Sequence, residues 1–314
     1  MSNVDASTSA VDLSNETVIG QLRDLSQVLR GLGVDRQSKL DELIRNLDSA
    51  SNSLKGGEAV QVTGKYAREL VEAHQLLPIA RWATTALRSA APKTWQRILR
   101  DSTDLISAKE QTDPRNWQYE LNLCSRMLHA NLEASWPNLE KEPDIRLKVG
   151  NQPISVEAKR PAGENSVEKN VSKAIEQLFS GCLASEPETI GLVAVSLDLC
   201  LLHRLIRPIE VEPSGPAVDV YHYPAGDQPD DLAKPFSKLC NDLILLPKVK
   251  KLLDNPRIAG IMFTCCYPGV LRRPGKAPKL CVVNRTAFPF ASTPENKALL
   301  WSLVSSLGSA EKPF

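Results

Sequence analysis

The chain has 314 residues, 42% hydrophobic and 24% charged, with a formal net charge of +1. That balance excludes a wholly disordered polymer and a bulk polycation that would bind nucleic acid by charge alone. No run is long enough for a membrane-spanning helix, Ser2 to Ser9 lack signal-peptide character, and the seven cysteines show neither zinc-ligand spacing nor a disulfide framework, so reduced thiols and a cytoplasmic location are expected.

Residues 1–10 are polar and read as a disordered tail. From 11 to 110 the pattern is helical. Val18, Leu22, Leu25 and Leu29 recur at helical spacing, Gly31-Leu32-Gly33 interrupts them, and Leu40, Leu43, Leu47 and Leu54 follow before Gly56-Gly57. Further helices are expected around 59–74, 79–89 and 93–109. This all-helical domain either oligomerises, holds a partner protein or caps the rest of the chain.

Asp113-Pro114 has the form of a helix N-cap followed by proline in the first turn. The helix runs to about Ala130, with Trp117, Leu121, Cys124 and Leu128 on its apolar stripe and Glu120 within it. Two alternating runs come next. Ile145, Leu147 and Val149 alternate with Asp144, Arg146 and Lys148, and Ile154, Val156 and Ala158 with Ser155, Glu157 and Lys159. Gly150-Asn151 between them signals a two-residue hairpin turn. With Val149 and Gln152 as the closing pair, partners have numbers summing to 301, and Asp144 stands opposite Glu157. Side chains so opposed have Cβ atoms about 4.5–5.5 Å apart. Two carboxylates at that distance repel unless a cation lies between them, and their hard oxygens suit Mg²⁺ or Mn²⁺. Lys159, two residues after Glu157, shares its face.

Asn165 and Glu168 suggest a helix start, and Val167, Val171, Ala174, Leu178 and Cys182 continue at helical spacing. Lys169, Lys173 and Gln177 form a stripe at four-residue steps. Thr189 to Leu199 is rich in β-branched and small apolar residues, as in a buried core strand. Ile209 to Asp231 reads as a long irregular insertion, followed by a helix to about Leu246. Ile258 to Tyr267 and Leu280 to Val283 read as strands. Between Lys248 and Arg285, nine basic residues face the single acid Asp254. Arg272, Arg273 and Lys276 in the connecting loop are candidate phosphate contacts, against the alternative of a solvated loop.

Pro143-Asp144 and Glu157-Ala158-Lys159 across a hairpin, preceded by a helix with Glu120 and followed by a helix and a core strand, resemble the PD-(D/E)XK nuclease superfamily. The resemblance covers roughly Asp113 to Leu199. It implies an α/β fold with a restriction-endonuclease-like mixed sheet core flanked by helices, spanning 111–314. It further implies metal-dependent hydrolysis of phosphodiester bonds, of DNA rather than RNA, leaving a 5′-phosphate. Asp144, Glu157 and the Ala158 carbonyl would be ligands for Mg²⁺ or Mn²⁺, with Glu120 at a second site or bound through water. Lys159 would position the water, and Gln177 or Lys173 would hold the scissile strand. Some branches place a tyrosine four residues after the helical glutamine; here Gly181 stands there. Lys169, Arg272, Arg273 and Lys276 complete the expected nucleic-acid contacts, and host defence or restriction follows by analogy. The competing expectation is a nuclease-fold module without catalysis, acting as a scaffold.

Overall fold

A computed structural model describes residues 5–12, 15–34, 37–55, 64–79, 95–96, 98–99, 113–137, 142–205, 224–225, 233–247, 249–250, 254–271 and 279–310. The described residues form an α/β fold with one mixed sheet of eight strands. They are β1 (Asp5–Asp12), β2 (Glu133–Ser135), β3 (Ile145–Val149), β4 (Gln152–Lys159), β5 (Ile190–Ser196), β6 (Pro224–Ala225), β7 (Ile258–Leu271) and β8 (Lys279–Ala291). Their order is β1-β8-β7-β5-β4-β3-β2, with β6 also beside β7. The central strands β4, β5 and β7 are mutually parallel, and the pairs β2/β3, β3/β4, β7/β8 and β1/β8 are antiparallel.

The β3–β4 register is Ile145↔Val156, Arg146↔Ser155, Leu147↔Ile154, Lys148↔Pro153 and Val149↔Gln152, the pairing set by the closing pair. Gly150 turns the chain at φ +59°, while Asn151 stays out of the left-handed region. A positive φ at the first central residue alone, with glycine there, is the pattern of a type II′ turn.

Helices cover both faces. On one, α5 (Glu164–Ser180) follows β4 and returns the chain to β5, as a parallel pair requires. It buries Val167, Val171, Ile175 and Leu178 against Val193, Val195, Ile258 and Phe263, each apolar side chain contributing about 1.5–3 kcal/mol. Gly191 on β5 lets α5 approach, because a Cβ there would lie 2.9 Å from both Leu178 Cδ1 and Ile258 Cδ1. The short α6 (Cys182–Ser185), then α7 (Asp198–Leu205) and α8 (Ala233–Ile244), flank the same region. On the other face, α4 (Asp113–His129) and α9 (Pro294–Ala310) pack on Ile145, Leu147, Val156 and Ala158.

The N-terminal helices α1 (Asn15–Gly31), α2 (Ser38–Lys55) and α3 (Gly64–Pro78) share an apolar cluster that also takes in Leu121 of α4 and Cys266 of β7. They therefore pack onto the sheet body. Residues 5–10 differ from the expected tail, since they lie in β1 and pair with β8 from Asp5↔Phe288 onward. The expected strand 189–199 stops at Ser196, because Asp198 opens α7. α5 begins at Glu164, before the expected Asn165, with Gly163 as its N-cap. The helices expected over 79–89 and 93–109 and the insertion at 209–231 fall largely outside the described residues.

Candidate functional site

The sheet ends where the charged residues gather. β3 starts at Ile145, opposite Val156, so Glu157 to Lys159 extend past the last β3 pair while still pairing with β5. Asp144 occupies the vacated end. Its Oδ2 accepts hydrogen bonds from the Ala158 N–H at 2.8 Å and from Lys159 Nζ at 3.2 Å. Lys159 Nζ also donates to Glu157 Oε2 at 2.8 Å. One ammonium thus bridges the two carboxylates that the hairpin register places on one face. All three are largely sheltered, with side-chain exposures of 20% for Asp144, 4% for Glu157 and 12% for Lys159.

Sheltered carboxylates in one place resist ionising together. Burial, and then the Asp144 charge, push Glu157 up to about 7, although Lys159 pulls the other way. Glu120, carried by α4, is close enough to share the effect. Burial and then Asp144 push it up to about 8, against the Trp136 hydrogen bond and Lys159. Burial works against the Lys159 charge, but Asp144 and Glu157 outweigh it and hold the ammonium above the usual lysine value.

The structure separates the expected site residues into those it assembles and those it does not. Asp144, Glu157, Lys159 and the Ala158 backbone are joined directly. Glu120 sits nearby, but its Oε2 accepts from Trp136 Nε1 at 3.2 Å. Among the described residues no group of three or more His, Cys, Asp or Glu side chains is disposed around a metal position. In this arrangement Glu120 is held by Trp136 rather than joined directly to Asp144 and Glu157. Gln177, with Lys169 and Lys173, is exposed on α5, outside the buried stripe that faces the sheet. Arg272, Arg273 and Lys276 lie outside the described residues. His129 lines a shallow pocket with Asn131, Trp301 and Ser302 between α4 and α9, apart from the carboxylates. His74 is buried beside Asn284 Nδ2 at 2.8 Å, and burial, with the Arg126 charge, lowers it to about 4.

Three residues near the cluster escaped sequence reasoning: Trp136, which holds Glu120, and the buried pair Arg160 and Asp198. Asp198 left a signal, an acid just past a hydrophobic strand. Arg160 left another, a second cation directly after Lys159.

The donor set has a definite chemistry. Two carboxylates side by side suit Mg²⁺ or Mn²⁺, which bind through one or two carboxylates and keep several waters. It does not suit zinc, which takes three or four nitrogen, sulfur or carboxylate ligands. No family model, curated protein or solved structure matches the chain. Among the described residues no helix is long and apolar enough to cross a membrane.

Proposed function

We propose that this chain is a Mg²⁺- or Mn²⁺-dependent nuclease with a restriction-endonuclease-like core, acting on DNA in the cytoplasm, with its N-terminal helices forming a domain packed on that core. The observation that carries the reading is the convergence of Asp144 Oδ2 and Glu157 Oε2 on Lys159 Nζ, at 3.2 and 2.8 Å, at the open end of a hairpin. An ion pair serving stability alone needs one carboxylate per lysine. Here a second acid is held in a sheltered position where its ionisation is costly, an arrangement that function explains better than stability does. The element order supports it too: helix with Glu120, hairpin, helix, then a core strand parallel to the motif strand.

Asp144 and Glu157 would hold the ion, joined by the Ala158 carbonyl. In an extended strand the N–H and C=O of one residue point the same way. The Ala158 N–H points at Asp144, and its carbonyl therefore opens toward the same position. A divalent ion bound there supplies Lewis acidity and lowers the pKa of bound water. Lys159 stays protonated, so it acts as a donor that orients water and stabilises charge building on the phosphoryl oxygens. It is a poor base in this setting. Glu120 acts through water, and Lys169, Lys173, Arg272, Arg273 and Lys276 are proposed phosphate contacts.

The test is cleavage of a panel of end-labelled DNA and RNA, single- and double-stranded, with Mg²⁺ or Mn²⁺, alongside calorimetry of metal binding. Metal-dependent cleavage by wild type that disappears in Asp144→Asn supports the reading. Absence of both cleavage and metal binding overturns it and favours a scaffold.

A further inference from the structure

Lys159 is the last residue of β4 to pair with a neighbour, at Lys159↔Val195, and β3 no longer accompanies it. The next residue but one is Pro161, which has no N–H to offer a ladder. Something other than the sheet must therefore fix the strand where the motif ends. Arg160 is placed to do so. Strand alternation sends its side chain to the face opposite Glu157 and Lys159, where it is 1% exposed.

On that face Arg160 Nη2 donates to Gln75 Oε1 at 3.3 Å and lies 3.6 Å from Asp198 Oδ2. Gln75 Nε2 donates to the same Asp198 oxygen at 2.7 Å, while Asp198 Oδ1 accepts from the Cys266 N–H at 2.7 Å. A single carboxylate just past β5 thus ties together the exit of β4, the body of β7 and helix α3. The connection continues outward. Gln118 Nε2 of α4 donates to Gln75 Oε1 at 3.3 Å, Lys39 Nζ of α2 donates to Gln118 Oε1 at 3.0 Å, and Lys39 is also paired with the buried Glu72. Buried ions are costly to desolvate, and apolar packing would serve stability as well or better. What this chain of side chains adds is a fixed geometry between the N-terminal helices and the residue beside Lys159.

We infer that Arg160 is a positioning residue for Glu157 and Lys159, held by Asp198 and Gln75, so that the N-terminal helices set the geometry of the site. The inference rests on the nuclease reading for its effect on cleavage, but its effect on the strand stands apart from it. Groups that hold metal ligands in place cost about 10–100-fold in affinity or activity when removed.

The experiment uses the full chain with Arg160→Met, Asp198→Asn and the double variant. Thermal stability, the kcat and KM of cleavage, Mn²⁺ affinity and amide exchange at Lys159 are followed. Arg160→Met is expected to lower kcat by about 10–100-fold at nearly constant KM, to weaken Mn²⁺ binding and to speed exchange at Lys159. The double variant, which leaves no lone buried charge, is expected to recover stability without recovering kcat. Recovery of kcat together with stability would overturn the inference, because Arg160 would then matter only for folding. So would Arg160→Met with wild-type Mn²⁺ affinity and exchange. If wild type does not cleave at all, weaker Mn²⁺ binding and faster exchange in Arg160→Met still support the positioning role while the nuclease reading falls.

Discussion

Lys159 reaches back across the hairpin to Asp144, Nζ to Oδ2 at 3.2 Å, and so closes a strand end that the ladder has already left. The ammonium is partner to two carboxylates at once, and its loss strands both. Lys159→Met should abolish cleavage. It should also destabilise the metal-free protein by up to about 3 kcal/mol at pH 8, the lower end for breaking a buried pair, since the group is not fully buried. At pH 5 the cost should shrink, because Glu157, pushed up to about 7, takes up a proton and no longer needs the lysine charge. Melting curves at the two pH values check this; an equal loss at both would mean that the carboxylates do not depend on Lys159.

The raised values of Glu157, about 7, and Glu120, about 8, fix a direction for the pH dependence. A carboxyl that binds its proton more tightly in the folded state stabilises the fold below the unfolded value, near 4.5. That contribution is lost as pH climbs through the folded value. The metal-free protein should therefore lose stability between about pH 5 and pH 8, with the acids titrating as a coupled set. Glu120→Gln should flatten the slope and raise the melting temperature at pH 8. A protein equally stable across this window would contradict the crowding of carboxylates.

Metal binding has to remove those protons. Calorimetry of Mg²⁺ or Mn²⁺ binding at pH 7, in two buffers with different ionisation enthalpies, should show release of about one proton per ion. Release should fade at pH 9. Binding with no proton release at pH 7 would place the ion elsewhere.

Gly191 makes a prediction about packing alone. A Cβ there would press on Leu178 and Ile258 at 2.9 Å, so Gly191→Ala should destabilise the fold by about 1–3 kcal/mol through overpacking. Gly191→Ala combined with Leu178→Val should recover part of it. Denaturant unfolding of the single and double variants decides the point.

The basic run supplies a prediction about binding. Replacing Arg272, Arg273 and Lys276 with alanine should weaken affinity for nucleic acid regardless of sequence. It should also reduce the log–log salt dependence by about one unit for each phosphate that is no longer neutralised. Metal affinity should not change. An unaltered salt slope would leave the run as a solvated loop.

How much was legible in the sequence follows from how local each signal is. The hairpin could be read to the residue because Gly150-Asn151 fixes the turn and strict alternation fixes the face, and those two together put Asp144, Glu157 and Lys159 in one place. α4 was legible from Asp113-Pro114 and its apolar stripe. β1 was not: Ser, Thr and Ala between aspartates carry no apolar alternation, and its partner is β8, far along the chain. β7 and β8 extend beyond the runs read as strands, past Pro268-Gly269 and Pro289, because proline and glycine read as strand breakers in the sequence while tertiary pairing carries the ladder past them. α9 was not foreseen either. The Gln75, Arg160 and Asp198 junction was beyond reach for another reason. Polar residues on three elements share no periodicity, and only the tertiary fold brings them together.

The pairing of Asp5 with Phe288 has a consequence for the order in which the molecule is made. The hairpin that gathers the charged cluster needs only neighbouring residues, whereas this edge of the sheet cannot close until synthesis has passed Phe288. Pairings so far apart in the chain form slowly. Throughout that wait β8 is absent and the first strand has nothing correct to pair with. Its sequence, Asp-Ala-Ser-Thr-Ser-Ala-Val-Asp, is nearly free of large apolar residues and carries a charge at each end, the composition that discourages an unpaired strand from adding to a stranger's edge. The composition that hid β1 from pattern reading is thus also one that disfavours edge-to-edge pairing with another chain.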